Sequence, residues 1–498
     1  MPSPIYRAAL AAALSLAAAV PAHAQAPRAS APSAQLPAGA AGRLAGDLVG
    51  AVNGGDDDAL VRWMDGVRSP ESYQPRDEML GILRALRDQG GGVTVGENRR
   101  TPRGNVVVEL WGRTVDAGVE LVVFPDGADS TRLLRLSVQK PLRRGVAFRP
   151  FPRERMDDAR IAELIDGQLR QLEAADQFSG VVLVARGDDV LLHGTYGHES
   201  PVTGTRITTR TRFHLASQGK MFTSVAIAQL VEQGALSLDQ TVGELLPGHP
   251  WTEQARGITV RQLLSHTGGL GGLFDRPNFP QDRVFATATE RLAYFAGEPL
   301  LFAPGTQYSY SNEGFETLGA IIESKTGMRY SDYILRNVLR RAGMRTAQPD
   351  APADSVTDRA IPSPYADDDL FGIRPRVTAS RGWNAGGAGG GHSSAEDMFR
   401  FARALMGGRL VSRPMVDTLT AGRVDEGGDS RYAYGFQTRQ VNGRTVFGHG
   451  GGGPRGVAIC NDIDVFADGS YTVVVMSNYD APFCAELKKA ITDMLAVN

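Results

Sequence analysis

Residues 213–242 read FHLASQGKMFTSVAIAQLVEQGALSLDQTV, and the fold turns on how this stretch is read. Met221, Val225, Ile227, Leu230 and Val231 recur at helical spacing, which predicts a helix with a buried face beginning near Ser217. Gly234, just past the periodic run, suits a C-cap. Positions i and i+3 share a helix face, so Lys220 stands one turn above Ser217. A hydroxyl at the positive end of a helix, with an amine beside it, is the layout of an activated nucleophile. A desolvated lysine can take the proton, and the helix N-terminus favours the developing anion.

Ser-x-x-Lys alone is weak. The chain has five lysines, and two of them have a serine three residues before. The second match is Ser137-Val-Gln-Lys140 in LLRLSVQKP, where Leu134, Leu136 and Val138 alternate with polar residues. That pattern predicts a strand, ended by Pro141, on which i and i+3 point to opposite faces. Ser137 is therefore set aside, and Ser217 needs support from elsewhere in the chain.

At 498 residues the chain is long enough for two or three domains, each with its own core. A net charge of −2, with acidic and basic residues interspersed, leaves no nucleic-acid footprint. Residues 1–24 have the form of a signal peptide: Arg7, an apolar run from Ala8 to Val20, and a small-residue site at Ala22-His23-Ala24. The run is too short to span a bilayer, so an exported protein, periplasmic or secreted, is expected. Cys460 and Cys484 are the only cysteines; in an oxidising compartment they could pair, and two separate buried thiols are the alternative.

Residues 25–40, rich in Ala, Pro and Ser, read as a linker. Residues 41–141 read as a small α+β domain. Helical patterns at Leu44–Val67 and Arg76–Asp88 precede strand-like runs at Val106–Arg113, Val119–Phe124 and Arg132–Gln139. Its element order resembles the cone-shaped domains of the nuclear-transport-factor-2-like group. Residues 142–156 form an arginine- and proline-rich connector. Residues 157–498 begin with an amphipathic helix and a hairpin, and end with strands, a hairpin turning at Asp468-Gly469 and a last helix. Strands at both ends imply one sheet, with the intervening helices as a second layer or lobe.

Two further stretches carry chemistry. In Tyr310-Ser311-Asn312, a tyrosine hydroxyl near a lysine can shuttle protons, and the asparagine amide can hold the lysine and a substrate carbonyl. In His449-Gly450-Gly451-Gly452, the glycines let substrate approach backbone N–H groups, while His449 can donate to Tyr310 or to substrate. The GxGxxG pattern here is not a dinucleotide motif, because Pro454 and a strand follow where a helix should open.

In this order the three stretches resemble the penicillin-recognising serine hydrolases: class C-type β-lactamases, D-alanyl-D-alanine peptidases and esterases of that fold. The family shows Ser-x-x-Lys, then Tyr-x-Asn, then Lys- or His-x-Gly on an edge strand. LLSHTGGL at 263–270, FAPGTQYSYSNEGF at 302–315 and GGGHSSAEDMFRFARAL at 389–405 add to the resemblance. It implies a β-lactamase/transpeptidase-like α+β fold over residues 157–498, an antiparallel sheet with helices on both faces plus a helical lobe. It also implies acylation of Ser217, with Lys220 and Tyr310 sharing base and acid work and Asn312 positioning Lys220 and substrate. His449 completes the set, and the backbone N–H groups of Ser217 and Gly452 form the oxyanion hole. Lys325-Thr326-Gly327 spells the alternative third motif, but it ends a helix, with Gly327 as its cap. His266 and His392 read as framework hydrogen-bonders. No metal spacing is present, and no cofactor is expected.

Where family members that bind a terminal carboxylate often carry hydroxyls, this chain has Gly450 and Gly452. Arg455 is near enough in sequence to supply a charge, and Gly450 and Gly451 are further candidates for substrate binding. The expectation is an exported hydrolase of an ester or small peptide or amide. The alternatives are a β-lactamase or D-Ala-D-Ala carboxypeptidase, or a catalytically idle envelope-binding protein of the same fold.

Overall fold

The computed structural model describes residues 35–498, apart from 73, 102–103, 144–147, 274–275, 277–278, 281–282, 350–355, 366–368, 379–384, 454–455 and 481–482. The signal-peptide stretch, most of the first linker and Arg455 lie outside the described residues. Among the described residues no helix is long and apolar enough to cross a membrane.

The N-terminal unit packs three helices on a four-stranded antiparallel sheet of order β1-β2-β3-β4. The helices are α1 (Ala40–Asn53), α2 (Asp57–Val67) and α3 (Arg76–Asp88). The strands are β1 (Val93–Arg100), β2 (Val106–Gly112), β3 (Ala117–Pro125) and β4 (Leu133–Arg143). The expected Leu44–Val67 helix is thus two, divided at Gly54-Gly55, and Asp56 caps the second by accepting from the Ala59 N–H. Strand β1 has no counterpart in the sequence reading, and β4 runs on through Pro141. A proline is tolerated there because β4 is an edge strand and its pairing with β3 is irregular between Val119 and Leu121. Ser137 lies within this strand, opposite Val122.

The larger unit is built on a nine-stranded antiparallel sheet. Its strands are β5 (Gly180–Arg186), β6 (Asp189–Tyr196), β9 (Val424–Gly427), β10 (Ser430–Tyr432), β11 (Gln437–Val441), β12 (Arg444–Gly448), β13 (Gly451–Gly452), β14 (Cys460–Phe466) and β15 (Tyr471–Ser477). The order is β6-β5-β15-β14-β12-β11-β10-β9, with β13 on β14, so strands from both ends of the unit interleave. Two short strands, β7 (Phe213–His214) and β8 (His392–Ser393), pair apart from it.

Period-two alternation divides the core. Val182, Val184, Val473 and Val475 face the first and last helices, α4 (Asp158–Ala174) and Phe483–Leu495. Val181, Leu183, Val474 and Met476 face the opposite layer. That layer holds α5 (Gly219–Glu232) with the Asn312–Thr326 and Ala395–Met406 helices. Helix α5 is enclosed by both the sheet and the helical lobe, so nearly every residue from Gly219 to Leu230 is buried, not one face only. Cys460 on β14 and Cys484 on the last helix are joined as a disulfide, Cα atoms 5.7 Å apart.

The two units share a core contact. Leu370 and Phe371, from a long loop of the larger unit, are buried among the helices and strands of the N-terminal one. Gln89 Oε1 accepts from the Leu370 N–H at 2.9 Å, and Arg143 donates to the Phe371 carbonyl at 2.8 Å.

Candidate active site

Helix α5 is entered through a single 3₁₀ turn, Ala216–Gln218, and Ser217 sits on that turn. Ala216 has φ 45°, a conformation costing about 1–2 kcal/mol for a residue with a Cβ. The surroundings hold it there: the Ala216 N–H donates to His214 Nδ1 (3.2 Å), and its carbonyl accepts from the Gly390 N–H (2.9 Å). The glycines at 386–391 let that loop come close. A Cβ on Gly389 would lie 2.1 Å from the Ala216 carbonyl oxygen.

Lys220 is fully buried, and its Nζ donates to Ser217 Oγ (3.2 Å), Asn312 Oδ1 (2.8 Å) and the Ala388 carbonyl (2.7 Å). It also lies 4.7 Å from the centre of the Tyr310 ring. Burial pulls its pKa down to about 7, against a partial opposing pull from Glu316. At neutral pH roughly half of such amines are free bases, so Lys220 can accept a proton without first losing one to bulk solvent.

Tyr310, Ser311 and Asn312 are set by the start of one helix. Ser311 is the N-cap, its Oγ accepting from the Gly314 N–H at 2.9 Å, and Asn312 is the first helical residue. His266 clamps the turn: its Nδ1 accepts from the Ser311 N–H, and its carbonyl accepts from the Ser309 N–H, both at 3.0 Å. Tyr310 is 37% exposed, yet its hydroxyl is enclosed and hydrogen-bonded to Ser217. Desolvation raises its pKa well above the usual tyrosine range, so it is a proton donor at neutral pH.

His449 is close to the others but differently engaged from what its motif suggested. Its Nδ1 lies 2.5 Å from the Gly450 carbonyl and its Nε2 3.0 Å from the Tyr432 hydroxyl. A carbonyl only accepts, so Nδ1 carries the proton and Nε2 accepts from Tyr432. Burial and the nearby Lys220 push the imidazole's pKa down to about 3, so it is neutral. The expected donation to Tyr310 is absent; their ring centres are 6.3 Å apart.

The strand pairing breaks at the third motif. Strand β12 ends at Gly448, paired with Asp464, and β13 resumes at Gly451, paired with Asn461. Strand β12 lies between β11 and β14, in the sheet's interior, while β13 pairs only with β14. Gly451 runs beside the Ser217 turn, where a Cβ would lie 2.2 Å from the Leu215 carbonyl oxygen and 3.1 Å from the Gln218 nitrogen. Gly450 N–H donates to Gln437 Oε1 at 3.4 Å.

Two participants escaped the sequence reading, Ala388 and Tyr432. The glycine density around 388 was the available signal for the first; nothing local marks the second. Lys325-Thr326-Gly327 ends the Asn312–Thr326 helix, with Gly327 at φ 66° as its left-handed cap. His392 stacks edge-on against His214, ring centres 5.2 Å apart, and Ser394 caps the Ala395–Met406 helix. Among the described residues no group of three or more His, Cys, Asp or Glu side chains could hold a metal ion.

The family model described as Beta-lactamase matches residues 165–495, two-thirds of the chain. The chain belongs to the Beta-lactamase family, the penicillin-recognising serine hydrolases. Its curated relatives include penicillin-binding protein 4* of Bacillus subtilis, 30% identical over 305 residues, which are 56% of this chain and 64% of that protein. The chain thus spans less than two-thirds of that relative's length. Among solved structures, a penicillin binding protein from Bacillus halodurans is 27% identical with a TM-score of 0.56, covering 66% of this chain and 98% of the other. A D-stereospecific amidohydrolase from a Streptomyces species is 25% identical with a TM-score of 0.56, covering 67% and 98%. These Beta-lactamase family likenesses cover the larger unit; the sheet β1–β4 and its helices precede the matched residues.

Proposed function

We propose that this chain is an exported serine hydrolase that forms an acyl-enzyme on Ser217 and cleaves an ester or a small peptide or amide bond. The observation that carries the reading is the placement of Lys220: an amine with a pKa of about 7, buried, 3.2 Å from a half-exposed serine hydroxyl. The Ser217 Oγ proton passes to Lys220 Nζ as Oγ attacks the substrate carbonyl carbon. The carbonyl oxygen becomes an oxyanion, with the N–H groups of Ser217 and Gly452 as its donors. Collapse breaks the bond to the leaving group, which takes the Tyr310 proton; Lys220 returns its own to Tyr310. Water then attacks the acyl carbon by the same route reversed, and Asn312 keeps Lys220 in place throughout. Gly450, Gly451 and Arg455 are the proposed substrate contacts.

Gly450 and Gly452 offer no hydroxyl to a terminal carboxylate, which favours esters and amides over β-lactams or D-Ala-D-Ala peptides. The likeness to penicillin-binding protein 4* keeps the cell-wall reading as the alternative. The complete set Ser217, Lys220, Tyr310 and Asn312 weighs against an idle binding protein. Export rests on residues 1–24, and N-terminal sequencing of mature protein from the producing cells tests it.

The deciding experiment is incubation with a fluorophosphonate, adduct mapping, and a hydrolysis screen on p-nitrophenyl esters, D-amino-acid amides and nitrocefin. A Ser217 adduct that Ser217→Ala lacks is expected, with esters or amides turned over fastest. Folded protein that takes no label at Ser217 refutes the reading.

A further inference from the structure

Asn312 and Glu316 lie one turn apart on one helix and therefore on one face. Asn312 touches Lys220 directly. Glu316 is 2% exposed and addresses the loop on the other side of the amine. Its carboxylate accepts from the Gly387 N–H (3.1 Å) and the Ala388 N–H (3.3 Å), and Arg291 Nη1 lies 3.5 Å away. Ala388 in turn offers its carbonyl to Lys220 at 2.7 Å.

The loop reaches this position because glycines flank Ala388. A Cβ on Gly386 would lie 2.6 Å from both Glu316 carboxylate oxygens and from Arg291 Nη1, and one on Gly387 would lie 1.9 Å from the Phe315 carbonyl. Thr223 Oγ1 fastens the same loop by donating to the Gly387 carbonyl (2.7 Å), with the Tyr330 hydroxyl 2.7 Å from it.

We infer that Glu316 is a positioning residue for Lys220, holding the Gly387 and Ala388 N–H groups so that the Ala388 carbonyl, in the next peptide along, meets the amine, and placing a buried carboxylate on the loop that contacts it. The inference rests on the proposed role of Lys220 as base. Two effects follow from one carboxylate. Accepting from successive backbone N–H groups fixes the orientation of the loop through charge-assisted bonds. Its charge also opposes the desolvation of Lys220, and the balance leaves that amine near 7. The other ionisable groups facing Lys220 are His266, His449 and Tyr310; burial keeps both histidines neutral and raises the tyrosine. Arg291 and Tyr330 face Glu316 itself.

The test is the rate of Ser217 labelling by a fluorophosphonate as a function of pH, in the full chain and in two variants. Glu316→Gln removes the charge and turns its amide NH2, a donor, towards one of the two backbone N–H donors. Its maximal rate should fall about ten- to hundredfold, as loosened catalytic geometry does. The pH at half-maximal rate should also move downward, because Lys220 loses the charge that raised its pKa. Glu316→Asp keeps the charge on a shorter arm, so it should restore the midpoint while leaving the maximal rate reduced. If Glu316→Gln does not fold because Arg291 loses its ion pair with Glu316, Arg291→Gln with Glu316→Gln removes both charges and should show the same downward midpoint. A merely structural glutamate would lower thermal stability without moving the midpoint, and that result overturns the inference. So does a folded Glu316→Gln protein with the parent's rate and midpoint. A parent that takes no label at Ser217 overturns the hydrolase reading first and this inference with it.

Discussion

The Nε2 of His449 accepts a hydrogen bond from the hydroxyl of Tyr432, 3.0 Å away. Both residues are buried, and His266 packs its ring against Tyr432, ring centres 4.4 Å apart. The third motif's side chain is thus held from β10, outside the motif. Tyr432→Phe keeps the ring packing and strands Nε2 without a donor. The expected cost is about 1–2 kcal/mol of stability, read from urea unfolding, because an unsatisfied buried acceptor forfeits its solvation. Ser217 labelling should persist, since Tyr432 does not contact the serine hydroxyl.

As the proposed base, Lys220 should set the pH profile. Only the free amine can take the Ser217 proton, so the labelling rate should rise through a midpoint near pH 7, where burial has brought the pKa. Below that midpoint the rate should fall tenfold per pH unit as the amine is protonated. Lys220→Arg keeps a cation and loses the base, because a guanidinium stays protonated. Its labelling rate should drop by about 10²–10⁴-fold at pH 7.5, with no rising limb between pH 6 and 9.

The parts of this site legible in the sequence are those whose contacts follow local geometry. Ser217 and Lys220 meet because three residues on a helix make a turn, and Tyr310 and Asn312 flank a serine that caps a helix. What escaped depends on distant partners or on backbone atoms. Ala388 contributes a carbonyl, which any residue type supplies, and only the glycines around it hint that backbone must pass close. Tyr432 lies on a three-residue strand with no periodic pattern. Helix α5 was expected to bury one face, yet it is covered on both sides, and Thr223, Ser224 and Gln229 are buried with its apolar residues. Strand β1 reads VTVGENRR and lacks the alternation that reveals a strand, because much of it is exposed. The order of strands in the large sheet was legible only as a pairing of both chain ends.

Gly451 carries a sharp steric prediction. Its strand passes the Ser217 turn so closely that an added methyl would sit 2.2 Å from the Leu215 carbonyl oxygen, a backbone atom that cannot rotate away. Gly451→Ala must push β13 from the turn and displace the proposed oxyanion donor at Gly452. A fall of about 10²-fold in kcat is expected, the scale of losing one such donor, with thermal stability less affected than activity. Equal kcat in parent and variant would mean that this strand does not serve the oxyanion.

The disulfide between Cys460 and Cys484 ties the strand that pairs with β13 to the last helix. It closes a loop of 24 residues in sequence separation, for which chain entropy gives about 3 kcal/mol. Cys484→Ser should lower the unfolding free energy by that order. Dithiothreitol should do the same to the parent and nothing further to the variant. Free-thiol titration of the unfolded parent before and after reduction checks the pairing directly.

Phe371 makes the last prediction, about the join between the two units. Its side chain is fully buried in the N-terminal core although its loop belongs to the larger unit. The approach is tight: a Cβ on Gly90 would lie 2.8 Å from the Phe371 ring. Phe371→Ala empties that site, and deleting a buried phenylalanine costs about 3–5 kcal/mol. The loss should fall on the unit that holds the cavity. Calorimetry should therefore show the N-terminal transition shifted down and separated from that of the larger unit, with Ser217 labelling intact at temperatures below both. A single transition at the parent's temperature would mean that Phe371 adds nothing to the N-terminal core, and a loss of labelling in parallel with that transition would make the N-terminal unit part of what holds the active site together.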